Sequence, residues 1–352
     1  MTSAPVRLLI LGTGSWAASH AEEFSRLPTC RVVAGVDANE TRARDFCALH
    51  AIPNAFTDLD AAIAWGEFDA VANVTPDGAH HPTTMKLIAA GKHVFCEKPL
   101  AQSYPLAVEM TEAMGAARLV GMVNLTYRNV PALQQARAMI AAGDIGEVRH
   151  LEASYRQSWL VGKHWGDWKK EERWLWRLSS AHGSRGVLGD VGIHILDFAT
   201  WAIGLEPVSV QARLHTFKKA KGDKIGAYAL DANDSAVMSL TFANGALGVV
   251  QASRYFTGYG NTLRLQVYGT KGALELEHGS ATTLLRACDG ANVDDLAWRE
   301  VHCPPVPVNQ ARFIAAVLAG KTDEPSFQRA ADLQRVLDAC FTAEAQRSVA
   351  LL

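Results

Sequence analysis

No C-x-x-C pair occurs in the sequence, and its six cysteines (Cys30, Cys47, Cys96, Cys288, Cys303 and Cys340) are scattered along 352 residues. That spacing argues against a disulfide framework, implies no metal site and suits reduced thiols in a cytosol. Long hydrophobic runs are missing too. No stretch approaches the roughly 20 apolar residues of a membrane span, and the apolar part of MTSAPVRLLILG runs into glycines too soon for a signal-peptide core. A cytoplasmic chain with no membrane partner is expected. Charge of one sign is also lacking, since 34 Lys plus Arg stand against 36 Asp plus Glu. With no large positive field to hold a phosphate backbone, nucleic acid is not expected as a partner. No internal repeat or low-complexity linker separates the chain, so its domains should be joined tightly.

What is present fits a large two-domain globule: the length is about twice that of a typical domain, and 49% of the residues are hydrophobic. Short apolar runs at 6–11, 31–37, 70–74, 93–96 and 119–124 are bounded by Gly, Pro, Asn or Asp, as buried strands are. Helical segments at 15–27, 40–50, 60–65, 81–90 and 103–117 lie between them. Strand and helix in alternation predict a doubly wound parallel sheet over residues 1–124. After that the rhythm changes. A helix at 131–142, a strand from 148, a helix at 188–203, strands and turns over 208–301 and helices at 308–318 and 327–347 predict an α+β domain over 125–352. Its sheet should be mostly antiparallel. One oddity is that five of the nine tryptophans (Trp159, Trp165, Trp168, Trp174 and Trp176) fall within 18 residues.

Directly after the first strand, Gly12-Thr13-Gly14-Ser15-Trp16-Ala17 has the pattern G-x-G-x-x-A and opens a helix. Gly12 permits the tight turn, Gly14 lets a pyrophosphate approach the backbone at the helix N-terminus, and Ala17 allows close helix packing. Asp37 ends the second strand, 20 residues past Ala17. An acid there accepts hydrogen bonds from an adenosine ribose diol and repels a 2′-phosphate, so NAD is favoured over NADP. Arg42 and Arg44, a little further on, are more simply solvated helix charges than 2′-phosphate ligands.

Thr75-Pro76 ends the third expected strand, His80 follows, and the fourth strand runs into Glu97-Lys98-Pro99. In open α/β sheets ligands bind beyond the carboxyl ends of the strands, which is where Lys98 falls. With the glycine loop, the T-P…H turn and AGKHVFCEKP, the sequence resembles the Gfo/Idh/MocA family of NAD(P)-dependent oxidoreductases. Segments 126–148, 189–204 and 268–276 extend the resemblance over essentially the whole chain. It implies a Rossmann domain, then a domain with a large open sheet through which homodimers or homotetramers assemble. It also implies that Thr75, Pro76, His80 and Glu97 lie at the cofactor, that Lys98 acts near the nicotinamide and the reacting hydroxyl, and that Asp190 and His194 form the D-x-x-x-H pair.

The residue chemistry agrees with those roles. Asp190 and His194 are four apart and share one face of the expected helix. Oxidising an alcohol removes a hydroxyl proton as a hydride leaves the same carbon, and neutral His194 suits the base. Lys98 would stabilise the developing alkoxide, and Asp190 would hold His194 or Lys98 in place. Asp197 is either support for that pair or part of the helix structure. For the substrate side, Tyr127 and Arg128 serve either substrate or hinge packing, and Gln157 and Trp176 are further candidates. The Trp-rich stretch suits a loop burying its own aromatics, a sugar-stacking surface or an interface arm. The expected activity is hydride transfer between NAD and a secondary alcohol or ketone of a sugar, cyclitol or related polyol. Alternatives are a non-catalytic NAD-sensing regulator and an NAD-dependent glycosidase with transient oxidation.

Overall fold

A computed structural model describes residues 4–352, which divide into two compact units, 4–126 with 307–334 and 127–306 with 335–352. In the first, strands β1 (Val6–Leu11), β2 (Cys30–Val36), β3 (Asn54–Phe56), β4 (Ala70–Asn73), β5 (His93–Cys96) and β6 (Gly121–Val123) form one sheet in the order β3-β2-β1-β4-β5-β6. Every pairing is parallel. Helices α1 (Ser15–Ser25), α2 (Glu40–Leu49), α3 (Leu59–Trp65), α4 (Asp77–Ala89) and α5 (Tyr104–Ala116) connect the strands, giving the expected doubly wound fold. Asn39 and Asp58 cap α2 and α3 by accepting from Arg42 N and Ala61 N. Two details differ from expectation. The three-residue β3 lacked a sequence signal, and α4 begins at Asp77 rather than 81, with Pro82 inside it and His80 in its first turn.

In the second unit, helix α6 (Pro131–Ala142) precedes β7 (Val148–Arg156), followed by the short helix α7 (Glu172–Leu175) and helix α8 (Ile193–Ile203). Strands β8 (Pro207–His215), β9 (Lys224–Ile225), β10 (Tyr228–Ala229), β11 (Ser235–Phe242), β12 (Leu247–Ser253), β13 (Thr262–Gly269), β14 (Gly272–His278), β15 (Thr283–Asp289), β16 (Arg299–Glu300) and β17 (Ala350–Leu351) complete it. Apart from the separate β9–β10 ribbon, they form a nine-stranded sheet in the order β16-β15-β14-β13-β7-β12-β11-β8-β17. Only β7 and β12 pair in parallel, so the sheet is mostly antiparallel as expected. Period-two burial leaves one face apolar against α6 and α8 and the other open. The helix expected from 188 starts as a π-turn over Leu188–Gly192 before α8.

The unit boundary also differs from expectation, because the chain returns to the first unit after residue 306. Helix α9 (Asn309–Ala319) and the start of α10 (Phe327–Gln346) belong there. Phe313 is fully buried beside Phe24 and Phe95, with ring centroids 6.4 and 5.5 Å away. Val123 N donates to Pro325 O at 2.9 Å. The first core is therefore finished by residues that sequence order alone assigned to the second domain.

Candidate active site

The glycine loop has the geometry of a phosphate cradle. Gly12 has φ +87°, and a Cβ there would lie 2.8 Å from the Val74 carbonyl oxygen, so only glycine fits. At Gly14 a Cβ would meet nothing within 4 Å, so packing does not demand glycine and the space over the backbone stays open. No side chain caps α1, whose first N–H groups point into that space. Asp37 Oδ2 accepts from both N and Oγ1 of Thr13 at 3.0 Å, and Oδ1 accepts from Asn39 N at 2.9 Å. Burial works against the Asp37 carboxylate, but the donors from Asn39 and Thr13 and the nearby Arg42 hold it below its usual range. Each carboxylate oxygen takes about two donors, so Oδ1 keeps capacity for a ribose hydroxyl. These residues fit a dinucleotide. Arg42 Nη1 is 3.5 Å from Asp37 and Arg44 pairs with Glu40, in keeping with helix charges.

At the ends of β4 and β5 two loops are locked together. His80 is fully buried, with Nδ1 2.7 Å from Pro99 O and Nε2 2.8 Å from Thr75 O. Both ring nitrogens face acceptors, so both must donate. Burial opposes that charged ring, but Cys96, the Pro99 carbonyl and Asp77 outweigh it and push His80 up to about 10. Glu97 Oε1 accepts from His20 Nε2 and Asn124 Nδ2, each at 2.7 Å, and Oε2 accepts from Lys98 N at 3.2 Å. Against the cost of burial, His20 and Asn124 pull the Glu97 carboxyl down to about 2. Thr75 Oγ1 donates to Asn73 Oδ1 at 2.7 Å. Thr75, His80 and Glu97, expected at the cofactor, thus direct these side-chain contacts inward, shaping the loop that carries Lys98.

In the second unit, Tyr155 donates its one hydroxyl proton to Asn261 Oδ1 at 3.1 Å, so Tyr127 donates to the hydroxyl of Tyr155. The Tyr127 ring stands edge-on to His194, centroids 5.1 Å apart at 90°. Burial pushes the Tyr127 phenol up to about 12 and Tyr155 well above its ordinary value, so both remain protonated. Asp190, on the π-turn, accepts from Arg254 Nη2 at 3.2 Å and lies 3.9 Å from Arg177 Nε.

Residues 6–125 match the oxidoreductase family with an NAD-binding Rossmann fold, and residues 133–275 match the GFO/IDH/MocA C-terminal domain. An inositol 2-dehydrogenase of Rhizobium meliloti is 30% identical, over 78% of this chain and 76% of its own. The chain belongs to the GFO/IDH/MocA oxidoreductase family. A levoglucosan dehydrogenase of Pseudarthrobacter phenanthrenivorans is 27% identical over 79% of this chain and 73% of its own. An oxidoreductase domain protein from Kribbella flavida has a similar structure, with TM-score 0.86 and 28% identity over 99% of both chains.

Two expected substrate residues of this oxidoreductase, Arg128 and Gln157, are otherwise employed. Arg128 has no exposed surface: its Nε and Nη2 donate to the two carboxylate oxygens of Asp197 at 2.6 and 2.7 Å, and its guanidinium lies 3.5 Å over Trp201. That corrects its assignment to structural packing and gives Asp197 a structural partner. Gln157 is buried, donating to Asn261 Oδ1 at 2.7 Å and accepting from Trp159 Nε1 at 3.2 Å. Trp176 is half-exposed with Arg177 4.5 Å over its ring, a contact that singles out no substrate. Of the three uses weighed for the Trp-rich stretch, self-packing is observed: Trp159 and Trp168 are buried with Leu160, Leu175, Leu178 and Leu230, and Trp165 and Trp174 pack against them. Sequence reading missed His20, Arg177 and Arg254. His20 joins Glu97 to Gln310 across 77 and 290 positions, and no local pattern signals such a link.

Proposed function

We propose that this oxidoreductase takes the hydride from a secondary alcohol of a sugar, cyclitol or related polyol, or returns it to the matching ketone. The observation that carries this assignment is the loop of Lys98, fixed on one side by His80 and on the other by Glu97 at the carboxyl end of a Rossmann strand. The substrate class is supported by relatives named as dehydrogenases of inositol and levoglucosan. Those names also favour catalysis over the regulator or the glycosidase.

In this proposal Gly12, Thr13, Gly14, Ser15, Trp16 and Asp37 hold NAD, with Thr75 and Pro76 contributing through the loop backbone. When bound, NAD accepts the hydride. Lys98 stabilises the negative charge that develops on the substrate oxygen. His194 takes the hydroxyl proton, and the ionised Asp190 favours the imidazolium that results. Tyr127, edge-on to His194, and the exposed Trp176 are retained as substrate contacts from the early candidates. The open sheet face carries exposed Val208, Val237, Leu247 and Val249, and this supports a homodimer or homotetramer built through it. No helix among the described residues is long and apolar enough to cross a membrane. All six cysteines are free, which supports a cytoplasmic location.

The test is a panel of polyols and sugars, including myo-inositol and levoglucosan, with NAD and with NADP, read as NADH or NADPH formation. Turnover with NAD and at least one polyol is expected. Preference for NADP would overturn the role of Asp37, and sugar release without net NADH would replace the dehydrogenase with a glycosidase.

A further inference from the structure

The tryptophans surround two arginines that converge on one carboxylate oxygen. Arg254, just beyond β12, has no exposed surface; its Nη2 donates to Asp190 Oδ2 at 3.2 Å and its Nη1 to Arg177 O at 3.1 Å. Arg177 brings its own Nε to 3.9 Å from the same Oδ2. Each guanidinium lies near an indole: Arg254 is 5.0 Å from the Trp159 centroid, and Arg177 is 4.5 and 5.5 Å from those of Trp176 and Trp174. The arm is anchored where it passes these groups, since Arg177 O also accepts from Ser184 Oγ at 2.6 Å. Self-packing of the aromatics therefore fixes the position of two permanent cations.

We propose that the Trp-rich arm serves the reaction by completing a two-arginine clamp on Asp190, with Arg177 from the arm and Arg254 from the end of β12 as positioning residues that set the orientation and charge of the Asp190–His194 pair. The functional part of this rests on the proposed role of that pair. The buried Arg254 fixes the carboxylate rotamer, because its Nη2 is held on Asp190 while its Nη1 is held on the Arg177 carbonyl. Burial lowers the Arg254 guanidinium from its ordinary value, and Asp190 and Asp234 oppose that effect. Around Asp190 the charged and titratable groups include Arg177 and Arg254, His194 four residues on, and the phenols of Tyr127 and Tyr155, both of which feel its charge. Asp234 acts on Arg254 and is itself paired with the buried Lys219 at 2.6 Å. Loss of either arginine removes a positive charge and makes a proton easier to retain on the pair.

The clamp is tested by following the Asp190 carboxyl ¹³C shift against pH in the full-length protein, the signal being assigned by its loss in Asp190→Asn. Arg177→Met is expected to raise the Asp190 midpoint by about one pH unit, and Arg177→Lys to restore it. Arg254→Met should do the same where it folds; Arg177, partly exposed, keeps the test decisive where it does not. A purely structural arm would lower the melting temperature and leave the midpoint in place. An unchanged midpoint in Arg177→Met overturns the clamp. Turnover separates the two levels of inference: if Asp190→Asn keeps kcat/KM within about twofold, the role of the pair fails, whatever the titration shows. If the Asp190→Asn variant loses turnover while Arg177→Met loses none, the pair stands and the clamp has no functional consequence, which overturns the proposal.

Discussion

His20 Nε2 donates to Glu97 Oε1 at 2.7 Å, so a residue of the helix after the glycine loop holds the residue before Lys98. Gln310 Nε2 donates to the other ring nitrogen at 3.3 Å, which assigns the proton to Nε2. The nucleotide-binding helix and the lysine loop thus share one hydrogen-bonded chain. Glu97→Ala should leave His20 and Asn124 unmatched in the interior and cost about 3 kcal/mol or more in urea unfolding.

Glu97 also predicts an acid dependence. Its carboxyl is held at about 2 against an ordinary 4.5, so its stabilisation is present above about 4.5 and is lost as pH falls toward 2. Unfolding free energy measured from pH 6 to pH 2 should fall less in Glu97→Gln than in the unaltered protein. Equal slopes would contradict the assignment.

His80 acts in the opposite direction. With its ring raised from 6.5 to about 10, it stabilises below about 6.5, and that contribution is lost as pH rises toward 10. His80→Gln should flatten the decline of stability between those limits. A decline of the same steepness in the variant would show that the ring is neutral and leaves one of the two carbonyls without a donor.

The two glycines of the loop should separate folding from binding. Gly12→Ala meets the Val74 backbone at a positive φ and should cost about 1–3 kcal/mol. Gly14→Ala enters open space, so the melting temperature should stay near that of the unaltered protein while NADH affinity, read by fluorescence, falls at least about tenfold.

How much of this was legible in the sequence depended on how local each signal was. The strand-Gly-helix turn, Asp37 at the end of β2 and Lys98 at the end of β5 lie within short patterns, and the structure places them as that pattern requires. β3 escaped notice because three residues carry no periodicity, and the place of α9 in the first unit because its partner Phe24 lies far back in the chain. Arg128 reads as either substrate contact or packing for a related reason. An arginine in a turn leaves the choice open until Asp197, 69 positions on, is found to accept from its Nε and Nη2. The π-turn under Asp190 was likewise invisible, since Leu188–Gly192 carries no residue pattern that distinguishes five-residue from four-residue hydrogen bonding.

The buried pair itself gives a further test. Arg128→Ala should destabilise by about 3–5 kcal/mol by stranding Asp197, whereas Arg128→Met with Asp197→Leu should recover much of that loss. Chemical denaturation of the singles and the double variant measures the coupling. Additive losses would contradict it.

The central claim is that Lys98 and His194 carry the oxidation of a polyol hydroxyl, and it is tested most directly by NADH formation in Lys98→Met and His194→Ala alongside NADH affinity. With a polyol that the unaltered protein oxidises, each variant should lose about 10² to 10⁴ in kcat, and His194→Ala should bind NADH within about threefold of the unaltered protein. Turnover retained within a few-fold in either variant, with the fold intact, would contradict the account.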